Sequence, residues 1–205
     1  SFRFVLVAFP LVFFIPRPKA GWRDVVAVGA FMSLGQFGLL YSALDLGMPS
    51  GLASLILQAH VILTIAMATV VLRESPSRRQ VIGAAIGTVG LLVVVIAHGA
   101  TAPVLPVIVM LGAALSWATG NVVARSAGVA SGLSLVVWSA LLVPVPALLL
   151  SLMVDGGDEV GRAVTHLSAV AIGSTAYTAI GASLIGYGIW NSLLARHPAS
   201  AVVPF

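Results

Sequence analysis

Along this chain, long apolar runs alternate with short polar breaks. The runs cover Phe2–Pro16, about Val25–Leu44, Ser50–Leu72, Val81–Ala97, Val104–Ala124, Leu133–Val154 and Leu167–Leu194, and another begins near Ala199. About 20 helical residues cross the roughly 30 Å hydrocarbon layer of a bilayer. The pattern therefore predicts seven membrane spans, the first shortened, and the start of an eighth. Barrel strands would instead alternate polar and apolar positions over about ten residues, which these runs do not do. Between the runs lie Gly47-Met48-Pro49-Ser50, a stop-and-restart signal, and the polar stretch Arg73–Arg79. Asp155-Gly156-Gly157-Asp158-Glu159 opens the longest predicted loop. Pro144 and Pro146 predict a kink in the sixth span. We read the sequence as part of a longer chain, starting and stopping inside apolar segments.

Composition agrees: 60% of residues are hydrophobic and 8% charged, against about 25% charged in soluble domains. Ten bases and six acids cannot solvate a soluble surface, which excludes a soluble enzyme and a disordered chain. With no cysteine there is no disulfide framework, thiolate metal site or cysteine nucleophile. The net charge of +4 does not mark a nucleic-acid binder, because the bases sit in short loops between apolar runs rather than on an aromatic-interleaved surface. If every span crosses, Arg17, Lys19, Arg23, Arg73, Arg78, Arg79, Arg125 and Arg196 share one side, and Arg162 stands on the other among acids. The basic side is predicted to be cytoplasmic. No cleavage site follows the first run, so it is not a secretory signal.

One segment echoes another. Phe37-Gly38-Leu39-Leu40-Tyr41-Ser42-Ala43-Leu44, followed by Pro49, aligns with Tyr187-Gly188-Ile189-Trp190-Asn191-Ser192-Leu193-Leu194, followed by Pro198. The copies lie five spans apart, and an odd number of spans inverts the second copy relative to the first. Inverted repeats with a substrate site between them near the midplane belong to secondary transporters.

Polar side chains inside apolar spans need partners or a function. On the third span, Ser54 and Gln58 share a face and His60 points elsewhere. Gln58 is suited either to bind the carboxylate or amine of a zwitterion or to bridge two helices. His60 is either a structural hydrogen bonder or a proton-coupling group. Trp117 and Asn121 share a face of the fifth span, beside a small-residue stripe of Gly112, Ser116 and Gly120 that lets another helix approach. On the seventh span Ser183, Tyr187 and Asn191 form one stripe, and Trp190 is either a cavity wall or an interfacial anchor. Gln36 lies mid-span on the second. Arg3 is read as an interfacial anchor with a possible reach to a substrate carboxylate, and Asp45 as a solvated cap. Gly83 and Gly87 form a packing face, within the subunit or in a homodimer. No Walker loop, HExxH metal motif or nucleophile–base pair is present, so neither an enzyme, a metal nor a cofactor is expected.

Gly35-Gln36-Phe37, Ala43–Gln58, Ser116–Asn121, Val137–Leu141 and Gly186–Asn191 together resemble the EamA family of the drug/metabolite transporter superfamily. The resemblance runs along essentially the whole chain. His60 and Ile62-Leu63 stand where it would lead one to expect glutamine and an aromatic pair. It implies an all-α integral membrane protein of ten helices in two inverted repeats, with this chain starting in the second helix and ending early in the ninth. Residues 1–99 would belong to the first repeat and 103–205 to the second. The function implied is secondary-active export, across the inner membrane, of small amino-acid-like metabolites of the O-acetylserine and cysteine type. Gln36, Gln58, His60, Trp117, Asn121, Tyr187, Trp190 and Asn191 are the expected substrate-binding residues. The expected partners are the small-molecule substrate, the bilayer, a coupling proton and a second copy of the chain. A carrier of drugs or other metabolites, or a non-transporting membrane scaffold, are the alternatives.

Overall fold

The structure, a computed structural model, describes residues 2–9, 11–98, 104–129, 131–154, 156–165 and 168–204. The junction expected at 99–103, Asp155 at the loop opening and Leu167 at the start of the seventh run lie outside the described residues.

The apolar runs form helices. They are α1 (Phe2–Ala8), α2 (Trp22–Asp45), α3 (Ser50–Val71), α4 (Arg78–His98), α5 (Val104–Ala127), α6 (Gly132–Ala140), α7 (Pro144–Val154), α8 (Gly157–Thr165), α9 (Ala169–Arg196) and α10 (Ala199–Val202). Five of these are long and apolar enough to cross a membrane, and α6 with α7 forms a sixth span bent by 44°. The bend falls just before Pro144. Proline there cannot donate to the preceding turn, so the predicted kink is real. α1 is shorter, and a separate helical turn covers Leu11–Phe13. One expectation needs correcting: the loop after α7 is largely the helix α8, with Asp158 early and Arg162 in its last turn, charges that suit the helix dipole.

Two spans widen in the middle. α2 is π-helical over Gly29–Gly35 and α9 over Thr178–Tyr187. In each case an α-helical stretch follows (Gln36–Asp45 and Gly188–Arg196), then a turn, then a proline that caps the next helix (Pro49 and Pro198). The same order of local structures thus recurs where the sequence repeats. α3 tightens at Gln58, whose N–H bonds to the Leu55 carbonyl and whose carbonyl accepts from Val61 N–H.

α5 is the hub, with half of its most apolar window buried against α2, α3 and α9, whereas α4 lies at the periphery with none of its window buried. α2 packs along the small-residue stripe of α5. A methyl group added to Gly120 would overlap Met32, and Ser116 Oγ donates to the Phe31 carbonyl at 2.8 Å. α9 reaches α6 equally closely at Gly132, where an added carbon would run into Gly188 and Ser192. Outward-facing Ile82, Ile86, Val89, Val93, Ile96, Val170, Ile180 and Ile189 are exposed. A soluble protein does not expose apolar area on that scale; a lipid-facing one requires it.

Candidate functional site

Two adjoining polar clusters occupy the bundle interior. The first joins α3, α5 and α9. His60 is buried and stacks on the Trp117 indole, with ring centroids 3.8 Å apart, and Trp190 lies 6.5 Å from Trp117. Asn121, fully buried, accepts from Trp190 Nε1 at 2.9 Å and donates to Thr64 Oγ1 at 3.3 Å. Thr64 in turn donates to the His60 carbonyl at 2.6 Å. The helical period explains the set: 60 and 64, and 117 and 121, are successive turns of one face.

The second cluster joins α1, α2 and α9. Arg3 lays its guanidinium over the rings of Phe4 and Phe37, 4.4 and 4.0 Å from their centres, and lies near Tyr187 and Tyr41. Gln36 is buried beside Tyr187. Buried Asn191, Ser33, Ser139 and Ser183 and half-buried Tyr187 surround a pocket of about 20 Å³, room for one water molecule. The predicted Ser183–Tyr187–Asn191 stripe thus faces inward as a unit. Phe4 and Ser33 separate this pocket from a larger cavity of about 420 Å³, which runs past Phe37, Tyr41 and Ser42 to Asp45 and Ser151. That volume suits a small metabolite.

Buried polar groups normally find partners. Among the described residues, the buried side-chain atoms without one are Arg3 Nη2, Gln36 Oε1, His60 Nδ1, Trp117 Nε1 and Asn191 Oδ1. All five belong to these two clusters.

Of the residues singled out from sequence, His60, Trp117, Asn121 and Trp190 meet in the first cluster, and Gln36, Tyr187 and Asn191 in the second. Gln58 joins neither. It is exposed on a groove with Val61, Arg79, Gly83, Gly87 and Ser200. Sequence reasoning passed over Thr64, although it lies four residues after His60, and treated Arg3 mainly as an anchor.

The end of the bundle carrying the basic loops is tied shut. Arg125 Nε pairs with Glu74 Oε1 at 2.7 Å and Nη1 donates to the Ala195 carbonyl at 3.2 Å, while Glu74 Oε2 accepts from Ala199 N–H at 2.8 Å. Arg73 supports this by adopting a left-handed conformation (φ 55°) that closes α3, a shape that costs a non-glycine residue about 1 kcal/mol. One latch thereby joins the α3–α4 loop, α5, α9 and α10. No group of three or more metal-ligating side chains gathers among the described residues.

Comparison with known proteins agrees with this architecture. The profile of the EamA-like transporter family matches residues 1–96. A "Probable amino-acid metabolite efflux pump" of Salmonella typhimurium (strain LT2) is 39% identical over 208 residues, covering 98% of this chain and 70% of that protein. A protein of the same description in Escherichia coli (strain K12) is 36% identical over the same extent. No solved structure gives a significant match. The chain is a multi-pass membrane transporter, not an enzyme, and it belongs to the EamA-like transporter family.

Proposed function

We propose that the protein exports small amino-acid-like metabolites across the inner membrane, as a secondary-active carrier working by alternating access. The observation that carries this reading is the set of unpartnered buried polar atoms that α1, α2, α3, α5 and α9 place inside the bundle, with Asn191 lining the small pocket beside the 420 Å³ cavity. Such groups are costly in a bilayer unless a ligand uses them. The description of its relatives as efflux pumps for amino-acid metabolites supplies the substrate class.

The two halves, 1–99 and 103–205, are the inverted repeats, and the matched π-helical-to-proline series in α2 and α9 supports that division. With the basic loops cytoplasmic, the latch of Glu74 and Arg125 closes the inner side while the 420 Å³ cavity reaches Asp45 on the outer side. This geometry is an outward-facing state. Breaking the latch opens the cytoplasmic side, and His60, Trp117, Asn121 and Trp190 then meet the incoming substrate. His60 is the group through which a coupling proton would pass, and the open Gly83–Gly87 face of α4 is where a second copy would pack.

The test expresses the full-length gene product in bacterial cells and measures O-acetylserine and cysteine in the medium. Export above an empty vector, lost in a folded Trp117→Ala variant, is expected. Export unchanged in that variant would remove the aromatic cluster from the pathway.

A further inference from the structure

We propose that Arg3 is the carboxylate-binding residue of the transport cavity, so that the carrier selects solutes bearing a free carboxylate. This rests on the reading of the interior as a transport site for amino-acid-like solutes.

Four observations converge on Arg3. An arginine at depth normally pairs with an acid, yet among the described residues no carboxylate pairs with Arg3. Asp45, the acid that lines the 420 Å³ cavity beside Phe4 and Phe37, sits eight residues beyond Phe37 on α2, about 12 Å along the helix axis. Second, the guanidinium is not free to snorkel. It is held over Phe4 and Phe37 by contacts of 4.4 and 4.0 Å, an arrangement that fixes its plane and leaves its N–H edge available. Third, that edge is unsatisfied: Nη2 is buried with no acceptor, while Phe4, Phe37 and Tyr41 around it wall the 420 Å³ cavity.

Fourth, Arg3 lies where the repeated segments meet. Phe37 and Tyr187 occupy equivalent places in the two copies, they pack in one apolar cluster, and Arg3 approaches both. A substrate site is expected at such a junction. The opposite half of a zwitterion has a receptor close by. Gln36 Oε1 is a buried acceptor without a donor, and Gln36 lies beside Tyr187. Arg3 Nη2 thus offers a donor to a carboxylate and Gln36 Oε1 an acceptor to an ammonium group, both near Tyr187.

The experiment uses purified full-length protein and measures binding of O-acetylserine and of its carboxamide, which keeps the amine and the ester but loses the negative charge. Wild type is expected to prefer the carboxylate by about tenfold or more, as charge-assisted pairing to arginine implies. In Arg3→Met the ratio is expected to fall to about one. In Arg3→Lys, which keeps charge but not the fork, the preference should persist with affinity weakened several-fold. If Arg3→Met does not fold, the lysine variant decides: unchanged affinity there overturns the proposal. A folded Arg3→Met with the wild-type ratio also overturns it, making Arg3 a structural anchor only and leaving the exporter reading intact. Wild type that binds neither compound, and does not export them, overturns both.

Discussion

Asn121 is the joint at which three spans meet, holding Thr64 of α3 and Trp190 of α9 from the hub helix α5. Side-chain hydrogen bonds inside membranes average about 0.6 kcal/mol, but truncating one partner also strands the others at about 1–3 kcal/mol. Asn121→Ala is therefore expected to cost about 2 kcal/mol, read as a lowered midpoint of thermal unfolding in detergent. An unchanged midpoint would mean that these bonds do not hold the spans together. Glycine positions give a contrasting pair. Gly120→Ala drives a methyl into Met32 and should lower the midpoint by several degrees, whereas Gly83→Ala meets nothing within 4 Å and should leave it unchanged. At this scale the sequence was informative where period and chemistry coincide: His60, Trp117, Asn121 and Trp190 were each identifiable as polar groups in an apolar span. It was silent at Gln58, because a face shared with Ser54 does not say what that face looks toward, and the tightened turn at Gln58 sets it toward α4. The stacking of Arg3 on Phe37 was not legible either, because Phe37 lies on another span and no local pattern brings them together.

At the scale of the elements, hydropathy placed every described span to within a few residues, since the bilayer sets both length and composition. Proline chemistry likewise announced the bend between α6 and α7. The π-helical segments of α2 and α9 were not legible, because an extra residue per turn changes neither hydropathy nor composition. The helix α8 was hidden by the Gly-Gly and acidic residues at its start, which read as a loop. Nor could the latch be read in advance: Glu74 and Arg125 are 51 residues apart and looked like ordinary loop charges. Its role is testable. Glu74→Ala removes both the ion pair and the acceptor for Ala199 N–H, and so should shift the population toward the cytoplasm-open state. A cysteine at position 64 (Thr64→Cys), in a stretch with no native thiol, should then react several-fold faster with an impermeant maleimide added from the cytoplasmic side. Equal rates with and without Glu74 would show that the latch does not gate access.

For the molecule as a whole, the cycle we propose takes the inner cluster, the 420 Å³ cavity and the latched basic end as one of its conformations. On that proposal, the same helix, turn and proline series in α2 and α9 would give the two halves matching parts to rock against each other. The most direct test is transport itself. Proteoliposomes carrying the full-length protein, loaded with unlabelled O-acetylserine, should accumulate labelled O-acetylserine by counterflow. The Trp117→Ala protein, inserted to the same level, should accumulate at most about a tenth as much, as expected when a buried aromatic wall of a binding site is truncated. Counterflow equal in the two, or absent from the wild type, would contradict the account.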